Sequence, residues 1–169
     1  MILFSKRQIL AGGGATALAW AAASLFGTRR AAAAGPAVKF EVEHPDAEWR
    51  RLLPPNTYEI LRHEGTERPF SSALNDEHRA GRFSCAGCQL PAFSSKTKFD
   101  SGTGWPSFWQ PLPNAVGENR DSTLGLIRTE IHCRRCGGHL GHVFDDGPRP
   151  TGLRYCMNGF AMSFTPGAA

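Results

Sequence analysis

Two segments of the chain carry apolar residues at helical spacing. Ala47, Trp49, Leu52 and Leu53 recur among charged residues just after Pro45, a residue suited to a first helical turn, so a short amphipathic helix is expected there. A second is expected from Pro54 or Pro55 through Tyr58, Ile60 and Leu61 to a stop at Gly65. Beyond Phe70 the period changes. Short apolar or aromatic runs near Phe83, Phe93 to Phe99, Phe108 to Leu112, Leu124 to His132, Val143 to Phe144 and Leu153 to Phe164 are separated by Gly, Pro, Asp and Asn. That is the rhythm of strands and turns. Leu124, Leu126 and Ile131 lie among polar residues in a long stretch without proline. The pattern predicts two short helices followed by a mainly β domain of mostly antiparallel strands.

The first 34 residues do not belong to that pattern. Lys6 and Arg7 precede an apolar run from Ile9 to Gly27, and Ala31 to Ala34 offer the small residues a signal peptidase needs. Residues 1–34 are therefore expected to be a cleaved export signal, and residues 35–169 a single domain. Eleven of the 19 residues in the run are Ala or Gly, which is weak for a membrane span, although Leu18, Trp20, Leu25 and Phe26 leave an uncleaved anchor as the alternative. Ser5 to Leu10 resembles a twin-arginine export motif in which Lys6 replaces the first arginine, which implies a bacterial periplasmic destination. This segment also explains the formal charge of +4, because its four basic residues face no acidic ones and the rest of the chain balances 15 against 15. No nucleic-acid partner is expected from charge. Eleven Phe and four Trp supply enough core to exclude a disordered chain.

Five cysteines change the picture most. Cys85-Ala-Gly-Cys88 and Cys133-Arg-Arg-Cys136 are two C-x-x-C turns, which together meet the tetrahedral four-sulfur preference of a structural Zn2+. Gly87, Gly137 and Gly138 suit a knuckle whose backbone N–H groups approach thiolate sulfur. The rivals are a pair of redox-active dithiols, as in a thiol-disulfide oxidoreductase, or two structural disulfides. A non-enzymatic zinc module is a further reading, since Arg134 and Arg135 could contact phosphate.

Cys156 is left over, and an odd thiol in an exported protein is an intermolecular partner or a reactive group. In an extended segment Arg154, Cys156 and Asn158 share one face, placing a guanidinium beside the thiol, while Tyr155 and Met157 point away. Upstream, His139 and His142 with nearby Asp145 and Asp146 can serve as proton donors or as metal ligands. Four cysteines already saturate a zinc ion, which favours acid catalysis.

From Trp49 to Phe164 the chain resembles the B-type methionine sulfoxide reductases. The resemblance rests on Glu48 to Leu53, Gly65 to Phe70, Asp100 to Phe108, His139 to Pro148 and Arg154 to Asn158, together with both cysteine knuckles. It implies two antiparallel sheets with amino-terminal helices, one structural zinc away from the active site, and thiol-dependent reduction of the R epimer of methionine sulfoxide, free or in damaged proteins. By position, Cys156 would be the nucleophile that ends as a sulfenic acid. His142, with His139 behind it, would protonate the departing oxygen, Asp146 would orient the histidines and Arg154 would support the thiolate. Trp105 would receive the substrate methyl, with Phe108 and Asn158 shaping the pocket. Many members carry a resolving cysteine where this chain has Thr103, so Cys156 would depend on an external reductant, a thioredoxin-like protein or a small thiol. A monomer is expected.

Overall fold

A computed structural model describes residues 39–123 and 125–169. The predicted export signal, residues 1–34, and Leu124 lie outside the described residues. Helix α1 spans Asp46–Leu52 with Pro45 as its N-cap, and its acidic first turn and basic last turn both complement the helix dipole. Helix α2 spans Pro55–His63, with Pro55 in its first turn, where a missing N–H costs nothing. The helix ends one residue earlier than the glycine suggests. Glu64 takes the left-handed conformation and the Gly65 N–H closes the turn on the Glu59 carbonyl at 3.1 Å. Gly65 is needed for that approach, because a Cβ there would stand 3.0 Å from the same oxygen. Among the described residues no helix is long and apolar enough to cross a membrane.

Among the described residues nine strands follow: β1 Gly81–Cys85, β2 Pro91–Ser94, β3 Lys98–Phe99, β4 Ser107–Phe108, β5 Val116–Asp121, β6 Arg128–Cys133, β7 His139–Phe144, β8 Arg154–Met157 and β9 Met162–Pro166. They form two antiparallel sheets, one ordered β2-β1-β9 and the other β3-β4-β8-β7-β6-β5. The mainly β architecture with short amino-terminal helices is as the sequence predicts. The sheets meet through aromatic residues. Phe93 of β2 stacks on Phe108 of β4 at 4.4 Å, and Phe83 of β1 meets the same ring edge-on at 5.0 Å. Helix α2 packs on β7 and on the turn at Gly159–Ala161, where the Thr57 hydroxyl donates to the Phe160 carbonyl at 2.9 Å.

Three apolar runs resolve differently from their sequence reading. Phe93 to Phe99 and Leu153 to Phe164 each divide into two strands that belong to different sheets, separated by a 3-10 turn. The run from Leu124 to His132 is strand only from Arg128, and Leu126 and Ile127 stand 68% and 69% exposed in the connection before it. Strand β5, Val-Gly-Glu-Asn-Arg-Asp, has no apolar alternation because it is a sheet edge facing water.

Candidate active site

The register of the larger sheet builds the site. Ser107 of β4 lies opposite Cys156 of β8, Cys156 opposite His142 of β7, His142 opposite Glu130 of β6, and Glu130 opposite Asn119 of β5. Directly paired residues project from the same face, so these five form one polar row across five strands. Burial alternates along β8 as predicted, with Tyr155 and Met157 in the core and Arg154 and Cys156 partly exposed. A break in register, where His132 pairs with His139 rather than Leu140, brings His139 round to the same side. Its ring lies 5.3 Å from that of His142.

Each histidine is held by a carboxylate. His142 Nε2 lies 2.8 Å from Asp121 Oδ2, and His139 Nδ1 lies 2.9 Å from Glu130 Oε1. Carboxylates only accept, so each of those nitrogens carries the proton and His142 keeps a lone pair on Nδ1. Asp121 is held well below the usual carboxylate range by the Thr123 N–H and hydroxyl, then by His142 and by Arg128, whose Nη2 is 2.5 Å away. Burial lowers the His142 pKa, and Arg128 and His139 add to this against the opposing pull of Asp121.

Asp146 does not orient the histidines. It grips Arg154 through two bonds, Nε to Oδ1 at 2.8 Å and Nη2 to Oδ2 at 2.9 Å, and its side chain is 59% exposed. The histidine's carboxylate is Asp121, which reads in sequence as an ordinary turn residue. Glu130, the carboxylate of His139, carries a weak signal, an acid between Thr129 and Ile131 in a strand. Arg154 lies over the Phe144 ring at 4.4 Å beside Cys156. Burial pushes the Cys156 thiol up, and it outweighs the Arg154 charge and the hydrogen bonds from Thr103 and Arg154 that favour thiolate.

A cavity of about 150 Å3 opens over the row, lined by Thr66, Trp105, Arg128, His142, Cys156 and Asn158, among others. It is the size of a side chain rather than of a large cofactor. Trp105 is fixed by its indole N–H, which donates to the Glu67 carbonyl at 3.2 Å. Glu67 is tied in turn: its N–H donates to Asn158 Oδ1 at 3.0 Å, and its carboxylate accepts from the Gly159 and Phe160 N–H groups at 2.8 Å each. Phe108 is absent from this cavity. It is fully buried between the sheets, on the face opposite Cys156, because Ser107 takes the position beside the thiol.

The other four cysteines gather at a second place. Cys85 Sγ is 3.7 Å from Cys136 Sγ, Cys88 Sγ is 3.4 Å from Cys133 Sγ, and all four sulfurs lie within 4.8 Å of one another. These separations exceed a disulfide bond and match the edges of a tetrahedron with metal–sulfur bonds of about 2.3 Å. The four residues can hold a metal ion. Gly138 packs closely beside them, since a Cβ there would meet Cys136 Sγ at 3.4 Å and the Leu61 side chain at 3.0 Å.

The SelR domain family matches residues 53–166, a span containing both cysteine knuckles, the polar row and Cys156. Proteins named peptide methionine sulfoxide reductase MsrB are similar over most of their length. That of Agrobacterium fabrum is 57% identical over 127 residues, 75% of this chain and 94% of the relative. That of Thiobacillus denitrificans is 57% identical over 122 residues, covering 72% and 92%, and one from Pseudomonas putida is 55% identical over 120, covering 70% and 90%. This chain belongs to the B-type methionine sulfoxide reductases. Within this reductase the four cysteines that can hold a metal ion and the row that contains Cys156 share no residue.

Proposed function

We propose that the chain reduces methionine R-sulfoxide to methionine by oxygen transfer to Cys156, and that it does so outside the cytoplasm as a repair enzyme for oxidised proteins. One observation carries this reading: Cys156 and His142 stand opposite each other on neighbouring strands and line one cavity with the fixed Trp105. The indole face receives the apolar S-methyl group. The neutral His142 takes the thiol proton on Nδ1 and passes it to the sulfoxide oxygen as the Cys156 sulfur attacks the sulfoxide sulfur. The S–O bond of the substrate breaks, methionine leaves reduced by two electrons, and Cys156 ends as a sulfenic acid oxidised by two. Two thiol equivalents from a thioredoxin-like protein or a small thiol then return Cys156 to thiol and release water. The enzyme acts as a monomer.

Cys85, Cys88, Cys133 and Cys136 hold a structural Zn2+, which supplies cross-linking between the sheets and no step of the reaction. Residues 1–34 direct the chain by the twin-arginine route to the periplasm, a route that carries folded, metal-loaded passengers.

The test uses dabsyl-methionine sulfoxide resolved into its two epimers, with dithiothreitol as reductant. Consumption of the R epimer alone is expected; consumption of neither by folded, zinc-replete protein overturns the reading. Asp121→Asn removes the charge and leaves one acceptor oxygen where two now serve Thr123, His142 and Arg128, so the working tautomer of His142 is held less firmly. A fall in kcat of about 10- to 100-fold with KM nearly unchanged is expected. The His142 ring titration followed by NMR should also move to lower pH, because the carboxylate that favours imidazolium is gone. An unaltered kcat would remove Asp121 from the mechanism.

A further inference from the structure

The reactive cavity has two unlike sides. Arg128, His142 and Cys156 reach it from β6, β7 and β8, where strand pairing fixes them. Thr66, Trp105 and Asn158 reach it from connections outside the strands. Glu67 joins these three. It follows Thr66 directly, its backbone carbonyl accepts from the Trp105 indole N–H at 3.2 Å, and its backbone N–H donates to Asn158 Oδ1 at 3.0 Å. Its carboxylate then reaches past Asn158 to the next two residues: Oε1 accepts from the Gly159 N–H and Oε2 from the Phe160 N–H, at 2.8 Å each. Asn158 is tied to the sheet as well, since its backbone and side-chain N–H groups donate to the Leu140 carbonyl of β7 at 2.8 and 3.3 Å.

A carboxylate is a costly group to place there. Glu67 is buried, and among the described residues no cation pairs with it. Burial raises its pKa, and the Phe160 and Gly159 N–H groups oppose that. The donors account for the residue type: two successive N–H groups need two acceptor atoms at once, and a carboxylate presents two where a carboxamide presents one acceptor and one donor. We propose that Glu67 is a positioning residue that sets how closely the cavity grips the sulfoxide methyl group, because it holds Trp105 and Asn158 at one spacing. The inference deepens the reading of Cys156 as nucleophile and of Trp105 as the seat of the methyl group, and it rests on that reading.

Glu67 lines a neighbouring cavity with Ile60, Arg68 and Phe160 rather than the reactive one, so it acts through the ring and the amide and not on the reacting atoms. The groups that act on the thiol belong to other elements. Arg154 is held by Asp146 and His142 by Asp121, and none of those four hydrogen-bonds to Glu67. Binding and thiol chemistry therefore separate: loosening Glu67 moves the ring wall and leaves Cys156 with its own neighbours. A wall held at one spacing admits a methyl group and resists an ethyl group, a difference of one methylene worth about 10- to 200-fold in a close pocket. A wall that can shift loses part of that discrimination.

The experiment compares the zinc-loaded full chain with Glu67→Gln, Trp105→Phe and the double variant, using the R-sulfoxides of methionine and ethionine with dithiothreitol as reductant. Glu67→Gln should raise KM for methionine R-sulfoxide about tenfold with kcat within about threefold, and lower the preference for methionine over ethionine by about fivefold. The Trp105 indole N–H, assigned in NMR spectra by its loss in Trp105→Phe, should exchange with solvent about tenfold faster in Glu67→Gln. Alkylation of Cys156 by iodoacetamide should stay within about twofold of the parent rate. Trp105→Phe keeps an aromatic ring and removes the bond to the Glu67 carbonyl, so it should also raise KM, and the double variant should fall well short of the product of the two effects. Parent KM and selectivity in both single variants overturn the proposal, as does a double variant that reaches the full product. Should Glu67→Gln not fold, parent KM and selectivity in Trp105→Phe overturn it alone. A parent protein that reduces neither epimer overturns the functional reading and this inference with it, whereas parent-like variants of an active enzyme overturn the inference only.

Discussion

Cys156→Ser is expected to lower kcat/KM for methionine R-sulfoxide by about 10^4-fold or more, with a melting temperature within about 2 °C of the parent. The side chains are nearly the same size, and a hydroxyl is tolerated in a row that already contains Ser107 and lies beside Thr103. Chemistry separates them. Sulfur can accept an oxygen atom and stand as a sulfenic acid, whereas the oxygen of serine would have to become a peroxide. Serine also ionises far less readily than a thiol, even one that burial pushes up. In the parent protein, one turnover without reductant should leave one dimedone-trappable sulfenic acid per chain and no intramolecular disulfide. The other four cysteine sulfurs are gathered in the cluster, so no further thiol remains to attack the sulfenic acid. More than a tenth of the activity remaining in Cys156→Ser would move the nucleophile elsewhere. An intramolecular disulfide after one turnover would show that a cluster cysteine doubles as resolver.

What was legible in the sequence depended on how local the constraint is. Cysteine spacing announced the four-sulfur cluster because a C-x-x-C turn places two ligands by local geometry alone. The alternation around Cys156 was equally local, and the buried Tyr155 and Met157 flank it as expected. Strand pairing is not local. Asp121 finds His142 only because β5 and β7 both pair with β6, and nothing in the edge-strand sequence marks that carboxylate. The same register sends Asp146 to Arg154 and puts Phe108 in the core, where its neighbour Ser107 takes the place beside the thiol. A one-residue break in β7 brings His139 to the side of His142, and a sequence spacing of three cannot reveal such a break. Sequence therefore identified the chemistry-bearing residue types, and tertiary pairing decided which carboxylate serves which base.

Removing the metal from the four-cysteine cluster is expected to cost several kcal/mol of stability, a large fraction of the roughly 5–15 kcal/mol of a typical domain. The cause is where the ligands sit. Cys85 ends β1 of the smaller sheet and Cys133 ends β6 of the larger one, so an ion held by both, with Cys88 and Cys136, joins the sheets. Other parts lean on the knuckles. The Val42 N–H donates to the Arg135 carbonyl at 3.0 Å, Arg62 Nη1 donates to the Cys136 carbonyl at 3.1 Å, and Arg62 itself lies over Trp49 of α1 at 5.0 Å. The clustered sulfurs act on one another: Cys133, then Cys136 and Cys88, push the Cys85 thiol up, whereas Cys136, Cys85 and Cys88 hold Cys133 down. The aromatic core between the sheets remains, so partial structure should survive. Elemental analysis should find one zinc per chain, and a strong chelator or Cys133→Ser should lower the melting temperature by at least about 10 °C. Cys133→Ser retaining both full zinc content and the parent melting temperature would refute the structural role. Loss of zinc with an unchanged melting temperature would show that aromatic packing, not the metal, joins the two sheets.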